Sequence, residues 1–360
     1  MELSKILSVA TAPAQHRYES AELLSFMDRF IDDPIALRKL KFIWRESGIQ
    51  SKHSVLPDFK EGHVGRLFTD LASQPTTKAR MDIFGSESLA LGSQVASKAI
   101  SDAHIRPDDI DAIITVSCTG MSAPGLEIQL AESLGLRKDI DRHAVNFMGC
   151  YAAFHGMRLA DLICQKSGAK RVLVVCVELC SLHFRNASND DNLLSTTLFS
   201  DGAAAMIVGS GDCAGGMAEM HGFHSVLIPE GKEDMAWCIG NTGFEMVLNK
   251  NVPKHIEQNM STALAATLNR HAWERSDIDS CAIHPGGKNV LGAFTNALEA
   301  DQESIQPSFD ILSKYGNMSS CSVVFVLEQI LREKRSKSGI YAAAFGPGLT
   351  VESAILKAIH

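Results

Sequence analysis

Arg171 is followed by Val172-Leu173-Val174-Val175-Cys176-Val177, an apolar run with no polar residue inside it. Successive side chains of a strand point to opposite faces, so a run like this is stable only where both faces are covered. Residues 203–208 have the same character, and residues 110–118 (Ile110 to Cys118) read as another buried strand, mostly apolar from Ala112 on. Helical patterns lie between them: 18–47 divided at Pro34, 84–104, 126–136 after Pro124, and 151–167. The second half repeats the alternation, with helices at 252–268, 290–300 and 319–334 and strands at 280–283 and 339–345. Buried strands separated by helices predict an α/β fold with its sheets covered on both sides. Ile6–Ala14 reads as a first strand, because its apolar run sits at the lower edge of the ~7–15 residues of a secretory leader.

At roughly 150 residues per domain, 360 residues suggest two units. A turn-rich join at Gly209–Gly216 divides the chain into halves 1–210 and 211–360 of similar style, which predicts an internal duplication. The net charge of −8 argues against general nucleic-acid binding, which rests on neutralising phosphates. An anionic small substrate met by a local basic patch stays compatible with it. The nine cysteines form no Cys-x-x-Cys pair, so no metal site is expected, and the thiols read as buried apolar groups of a reducing compartment. No run approaches the ~18–20 apolar residues of a membrane span, and a cytoplasmic location is expected.

Three segments can carry chemistry. Cys150 follows Asn146-Phe147-Met148-Gly149, a strand-like approach and a turn, and small residues after it begin a helix. A thiol at a helix start meets unpaired N–H groups and the positive dipole end, which favours thiolate. The competing reading is a buried structural Cys, and from this segment the two stand about level. His284 ends a short apolar strand and is followed by Pro285-Gly286-Gly287, where a neutral imidazole can activate a thiol or hold an oxyanion. Asn317, in Gly316-Asn317-Met318-Ser319-Ser320, offers amide donors that do not titrate, although a turn or cap is the commoner use.

In this order, the three segments resemble the type III polyketide synthases, the chalcone-synthase-like branch of the thiolase superfamily. Further segments match along nearly the whole chain: Leu198-Phe199-Ser200-Asp201-Gly202, Gly243-Phe244 ahead of Val252-Pro253, Ser117-Cys118-Thr119-Gly120, and Phe345-Gly346-Pro347-Gly348. The resemblance implies a five-layer αβαβα thiolase fold of two similar halves, assembled as a homodimer. It implies Cys150 as acyl-accepting nucleophile. His284 would keep it as thiolate and, with Asn317, bind the thioester carbonyl and the enolate formed from malonyl-CoA. Acyl-CoA and malonyl-CoA would be the substrates, with no further cofactor.

By the same resemblance Phe199 and Phe244 stand where a CoA tunnel meets the cavity. Cys118, Thr119, Glu178, His183, Ser319, Gly346, Pro347 and Gly348 surround the growing chain, and Met121 and Met235 bear on its volume. Cys118 and His183 replace the hydroxyl residues of the plant enzymes, which suits a bacterial-type member. Lys39, Lys41, Arg45, Gly286 and Gly287 are expected at the CoA end, with Phe42 and Glu46 standing at two positions where the family is basic. The expected reaction is iterative decarboxylative Claisen condensation, closed by cyclisation to a resorcinol-, phloroglucinol- or pyrone-type product. The alternatives are a single condensation of the β-ketoacyl synthase III kind and, more remotely, a non-catalytic thiolase-fold partner.

Overall fold

The computed structural model describes residues 3–360 except 32, 61, 63, 70–72, 167–170 and 211–214. The first half holds β1 (Lys5–Pro13), β2 (His16–Glu19), α1 (Ser20–Phe30), α2 (Pro34–Ser47), β3 (Ser51–Ser54), α3 (Thr77–Asp102), β4 (Ala112–Ser117), α4 (Leu126–Ser133), β5 (Asp141–Asn146), α5 (Ala152–Lys166), β6 (Arg171–Leu179), α6 (Asp190–Leu198) and β7 (Asp201–Gly209). The second holds β8 (Ala218–Leu227), β9 (Met235–Gly240), β10 (Gly243–Leu248), α7 (Val252–His271), β11 (Ile278–Ile283), α8 (Lys288–Leu298), α9 (Gln302–Tyr315), α10 (Ser322–Arg332), β12 (Gly339–Gly346) and β13 (Thr350–Ala358).

The two halves share one strand pattern. In the first, β4 runs parallel to β6, β6 antiparallel to β7, and β7 antiparallel to β1. In the second, β11 runs parallel to β12, β12 antiparallel to β13, and β13 antiparallel to β8. β5 is an extra edge strand beside β4. β1 and β8 meet at Lys5–Glu219 and Ile6–Ala218, which joins everything into a nine-stranded sheet. The expected join at Gly209–Gly216 falls largely on 211–214, outside the described residues.

The uninterrupted apolar runs now have their explanation. Val172, Val174 and Cys176 of β6 enter a central apolar layer, while Leu173, Val175, Val177 and Leu179 enter an outer one. The outer layer of the first half is closed by α3 through Val95, Ala96 and Ala99. The central layer is filled by α5 and α10, and α7 and α8 close the far side over β11–β13. This is helix, sheet, helix, sheet, helix: the expected five layers.

Local signals set the helix ends. Pro34 opens α2, and Asp33 caps it by accepting the Ile35 N–H at 2.8 Å, so the division at Pro34 follows from helix-start chemistry. α3 begins at Thr77, earlier than the pattern from 84 suggested, because Thr76 accepts the Ala79 N–H and caps a polar first turn. The helix expected from 319 starts with a 3₁₀ turn at Ser319–Cys321 before α10. No disulfide joins the described cysteines, and among those only Cys238 is exposed. Among the described residues no helix is long and apolar enough to cross a membrane.

Phe154 of α5 is fully buried in the central layer. Truncation there opens a hole in the central layer that packs against both halves of the sheet. Phe154→Ala is therefore expected to lower the unfolding free energy by about 3–5 kcal/mol, measured by urea denaturation of the full chain.

Candidate active site

The central layer determines where polar chemistry can sit. Strands buried on both faces leave room for it only at their ends and at the helix starts beside them. Cys150 lies two residues before α5, His284 directly follows β11, and Asn317 precedes the 3₁₀ turn that leads into α10. All three line one cavity of about 620 Å³, together with Cys118, Thr119, Gly149, Phe199, Ser319 and Pro347.

The turn before Cys150 is tightly built. Gly149 has φ +90°, and a Cβ there would stand 2.5 Å from Pro347 Cδ, so only glycine lets the Gly346–Gly348 loop close over Cys150. The Gly149 N–H donates to Cys118 Sγ at 2.9 Å. Tyr151 Oη–H donates to the Pro347 carbonyl at 3.4 Å from the other side.

Asn317 has a fixed amide. Its Oδ1 accepts the Ser319 N–H at 2.8 Å, which leaves Nδ2 as the donor toward Cys150. His284 is fully buried, packs edge-on to Phe345 at 5.5 Å, and has no hydrogen-bond partner on either ring nitrogen among the described residues. A buried imidazole with two unused nitrogens is costly unless a substrate or thiol completes it.

Burial acts on both members of the pair. It pushes the Cys150 thiol up to about 12, with Ser319 and Asn317 donors working the other way. It pushes the His284 imidazole down to about 3. The helix-start position therefore does not by itself make a thiolate, which corrects the simple expectation. A lone thiolate at Cys150 and a lone imidazolium at His284 are each disfavoured here.

The wall behind Cys150 is a buried hydrogen-bonded network. Glu178 is fully buried and lies beneath the cavity rather than in it. Its carboxylate accepts the Cys118 N–H at 3.0 Å, the Thr119 hydroxyl at 2.8 Å and the Ser320 hydroxyl. His183 lies outside the Cys150 cavity as well. Its Nδ1 accepts the Phe244 N–H at 3.0 Å, so the ring proton is on Nε2 and donates to the Thr119 carbonyl at 2.7 Å. Burial keeps it neutral, pushed down to about 3. His183 is thus a staple between β10 and the β4 loop. With Phe244 it lines a neighbouring cavity of about 80 Å³.

Phe244 is the second correction. It stacks on His183 at 4.1 Å and stands outside the Cys150 cavity, where Met246 and Leu248 take the wall. Phe244, Met246 and Leu248 share one face of β10, since a strand has period two. The sequence pattern identified the right strand but placed the contact two residues early. Trp237 on β9 was missed; it lines both cavities and donates its Nε1–H to the Cys118 carbonyl at 2.9 Å. Met235 lines the main cavity, whereas Met121 does not. Of the Gly-Pro-Gly loop, Pro347 lines it and Gly346 and Gly348 shape the turn.

The mouth also differs from expectation. Lys39, Phe42, Ile43 and Glu46 line it, a helical i, i+3, i+4, i+7 face of α2. Lys41 and Arg45 point elsewhere: Lys41 pairs with Asp28 at 2.8 Å, and Arg45 with Glu46 at 3.3 Å while standing over the Phe42 ring. Lys39 pairs with Asp190. Across the opening, Gly286 and Gly287 lead into the α8 N-terminus, where Lys288, Asn289 and, nearby, Lys250 supply the polar lining. Lys288, directly after the Pro-Gly-Gly turn at a helix start, was the signal available in the sequence.

Comparison with known proteins agrees with this geometry. The family profile "Chalcone and stilbene synthases, N-terminal domain" matches residues 5–212, and the corresponding C-terminal domain profile matches 219–360. The chain is 31 % identical over 336 residues to "Alpha-pyrone synthesis polyketide synthase-like Pks18" of Mycobacterium tuberculosis, covering 91 % of this chain and 84 % of that one. It is 30 % identical to the 1,3,6,8-tetrahydroxynaphthalene synthase of Streptomyces peucetius subsp. caesius, covering 98 % and 93 %. The crystal structure of PKS-I from the brown alga Ectocarpus siliculosus superposes with a TM-score of 0.94 at 28 % identity, over 100 % of this chain and 99 % of that one.

If the Cys150 charge depends on His284, their reactivities are linked. His284→Ala is expected to slow iodoacetamide alkylation of Cys150 near pH 7 by more than about 100-fold. In that variant the rate is expected to climb about tenfold per pH unit through the alkaline range, because the thiol stays protonated until pH nears 12. Peptide mass mapping of the alkylated residue checks both.

Proposed function

Since this chain belongs to the chalcone and stilbene synthase family of type III polyketide synthases, we propose that it extends an acyl group held on Cys150 with malonyl-CoA units. The observation that carries this is the pairing, in one cavity, of a buried thiol with two uncharged donors: a His284 imidazole with free nitrogens and an Asn317 amide of fixed orientation. That set has no strong general base, and the chemistry requires none.

The Cys150 thiolate, paired with protonated His284, attacks the starter thioester carbonyl and expels CoA, which takes the proton. Malonyl-CoA then enters with its thioester oxygen toward His284 and Asn317. Loss of CO₂ leaves an enolate, and the two donors stabilise its oxygen in a site shielded from bulk water. The enolate carbon attacks the Cys150 thioester, the C–S bond breaks, and the lengthened β-ketoacyl chain is on CoA; Cys150 leaves as thiolate, and a proton taken up from solvent onto His284 restores the starting pair. Reloading onto Cys150 repeats the cycle, and the finished chain cyclises to a resorcinol-, phloroglucinol- or pyrone-type ring. Phe199, Trp237, Met246 and Leu248 form the wall that keeps the enolate from being protonated by water.

Lys39, Lys250 and Lys288, with the Gly286–Gly287 turn at the α8 N-terminus, are placed to meet the CoA phosphates. The assembly we propose is a homodimer. The outer edge of β5 is open among the described residues, and β5 leads straight into the Phe147–Cys150 turn, so a second copy seated there would buttress the nucleophile.

Mass spectrometry of products from malonyl-CoA and a panel of starter acyl-CoAs is expected to show several malonyl additions and a cyclised product. A single addition on a carrier protein would overturn the reading. Cys150→Ala is expected to abolish condensation, and Asn317→Ala to lower malonyl-CoA decarboxylation by about 10²–10³-fold, in line with loss of one oxyanion donor. Sedimentation equilibrium is expected to return twice the 39.0 kDa chain mass.

A further inference from the structure

Lys52 of β3 is buried, and among the described residues no carboxylate bonds to it. Its ammonium donates to the carbonyl oxygens of Thr196 at 2.5 Å and Phe199 at 2.8 Å, and stands 5.0 Å from the centre of the Trp44 indole. Asp201, the buried acid whose charge acts on Lys52, is occupied by the Val55 N–H and by the Ser181 N–H and hydroxyl. Burial pushes the Lys52 ammonium down to about 7, against the opposing pull of Asp201. An apolar side chain would fill this space without that desolvation cost.

What the cation bonds to gives it a purpose. Thr196 and Phe199 lie at the C-terminal end of α6, where the last carbonyls lack helical partners and the dipole favours positive charge. Directly beyond, the chain pairs with the Asn317 segment: the Asn317 N–H donates to Leu198 O at 2.9 Å, and the Ser200 N–H to Asn317 O at 2.9 Å. The Lys52 stem also runs under Gly316. There φ is +70°, and a Cβ would lie 3.0 Å from Leu198 O and 3.3 Å from Lys52 Cγ. Lys52 thus touches both strands of the short pairing that carries Phe199 and Asn317.

We propose that Lys52 is a positioning residue for the condensation: it locks the Thr196–Phe199 backbone and, through it, the Asn317 amide and the Phe199 ring. The proposal rests on the reading of Asn317 as an enolate donor. It assigns a role to a lysine on the far side of the cavity wall, away from the CoA mouth.

The test uses the full chain with Lys52→Met, which fills the space without a donor, and Lys52→Ala, which opens it. Malonyl-CoA decarboxylation and Cys150 alkylation are measured side by side. Both variants are expected to lose at least about tenfold in kcat for decarboxylation, with KM little changed. Alkylation of Cys150, which depends on His284, is expected to stay within about twofold. Because Lys52 lines the 80 Å³ cavity, added n-propylammonium is expected to restore part of the Lys52→Ala activity and none of the Lys52→Met activity. A Lys52→Met enzyme with wild-type kcat, or a folded Lys52→Ala enzyme that the amine does not rescue, would overturn the positioning role alone. If Lys52→Ala does not fold, the kcat of Lys52→Met decides. A wild-type protein that does not decarboxylate malonyl-CoA would overturn this role and the proposed function together.

Discussion

The apolar layer shared by α5 and α10 is the constraint on which the rest of the structure depends. Both halves of the nine-stranded sheet need cover on their inner faces, and this one layer covers both. The helices that fill it must therefore begin at the same level, near the ends of the strands they follow. Cys150 stands at the approach to one and Asn317 at the approach to the other. The repeated strand pattern supplies the rest: β4 and β11 hold equivalent places in their halves, and the residues just after them are Cys118 and His284. Four of the groups around the reacting carbon come from two pairs of corresponding positions. One half contributes sulfur and the other contributes the hydrogen-bond donors.

Burial sets the electrostatics as firmly as it sets the geometry. The buried ionisable groups around Cys150, taken alone, are driven toward their neutral forms: Cys150, Cys118 and Glu178 upward, His284 and His183 downward. Such a site tolerates charge only as a compensated pair or as a transient that donors already surround. In the proposed reaction a thiolate beside an imidazolium is the first kind, and an enolate beside His284 and Asn317 is the second. The same low polarity that raises the cost of either charge strengthens the contacts that offset it.

Much of this was legible in the sequence. The unbroken apolar run of β6 implied double-sided cover, and Pro34 implied the α1–α2 break. Gly149 before Cys150, Pro-Gly-Gly after His284 and Gly316 before Asn317 marked the turns that display the three side chains. What the sequence did not show depends on phase and on partners. Phe244 and Met246 sit on the same face of one strand, and only the packing of β10 on His183 decides which reaches which cavity. Lys41 and Arg45 looked equivalent to Lys39 in a run of basic residues, yet a helix turns them away from the mouth. Lys52 carried no local signal, because its partners are backbone carbonyls far along the chain. The same holds for His183, whose two backbone bonds turned an ambiguous side chain into a fixed joint.

β9 and β10 form a two-stranded sheet of their own, outside the nine-stranded one. They are held at a few points: the Trp237 indole on Cys118, the Phe244 N–H on His183, and the Gly243 N–H on the Thr77 hydroxyl. Frame and mould are therefore separate parts. The frame carries the reacting groups and tolerates little, since its residues are packed on every side. The mould is a hairpin whose inward residues can change size without disturbing the register of the nine-stranded sheet. A fold divided in this way lets a lineage reshape its product while the bond-forming step stays fixed, and diversity of cavity rather than of chemistry is the natural outcome.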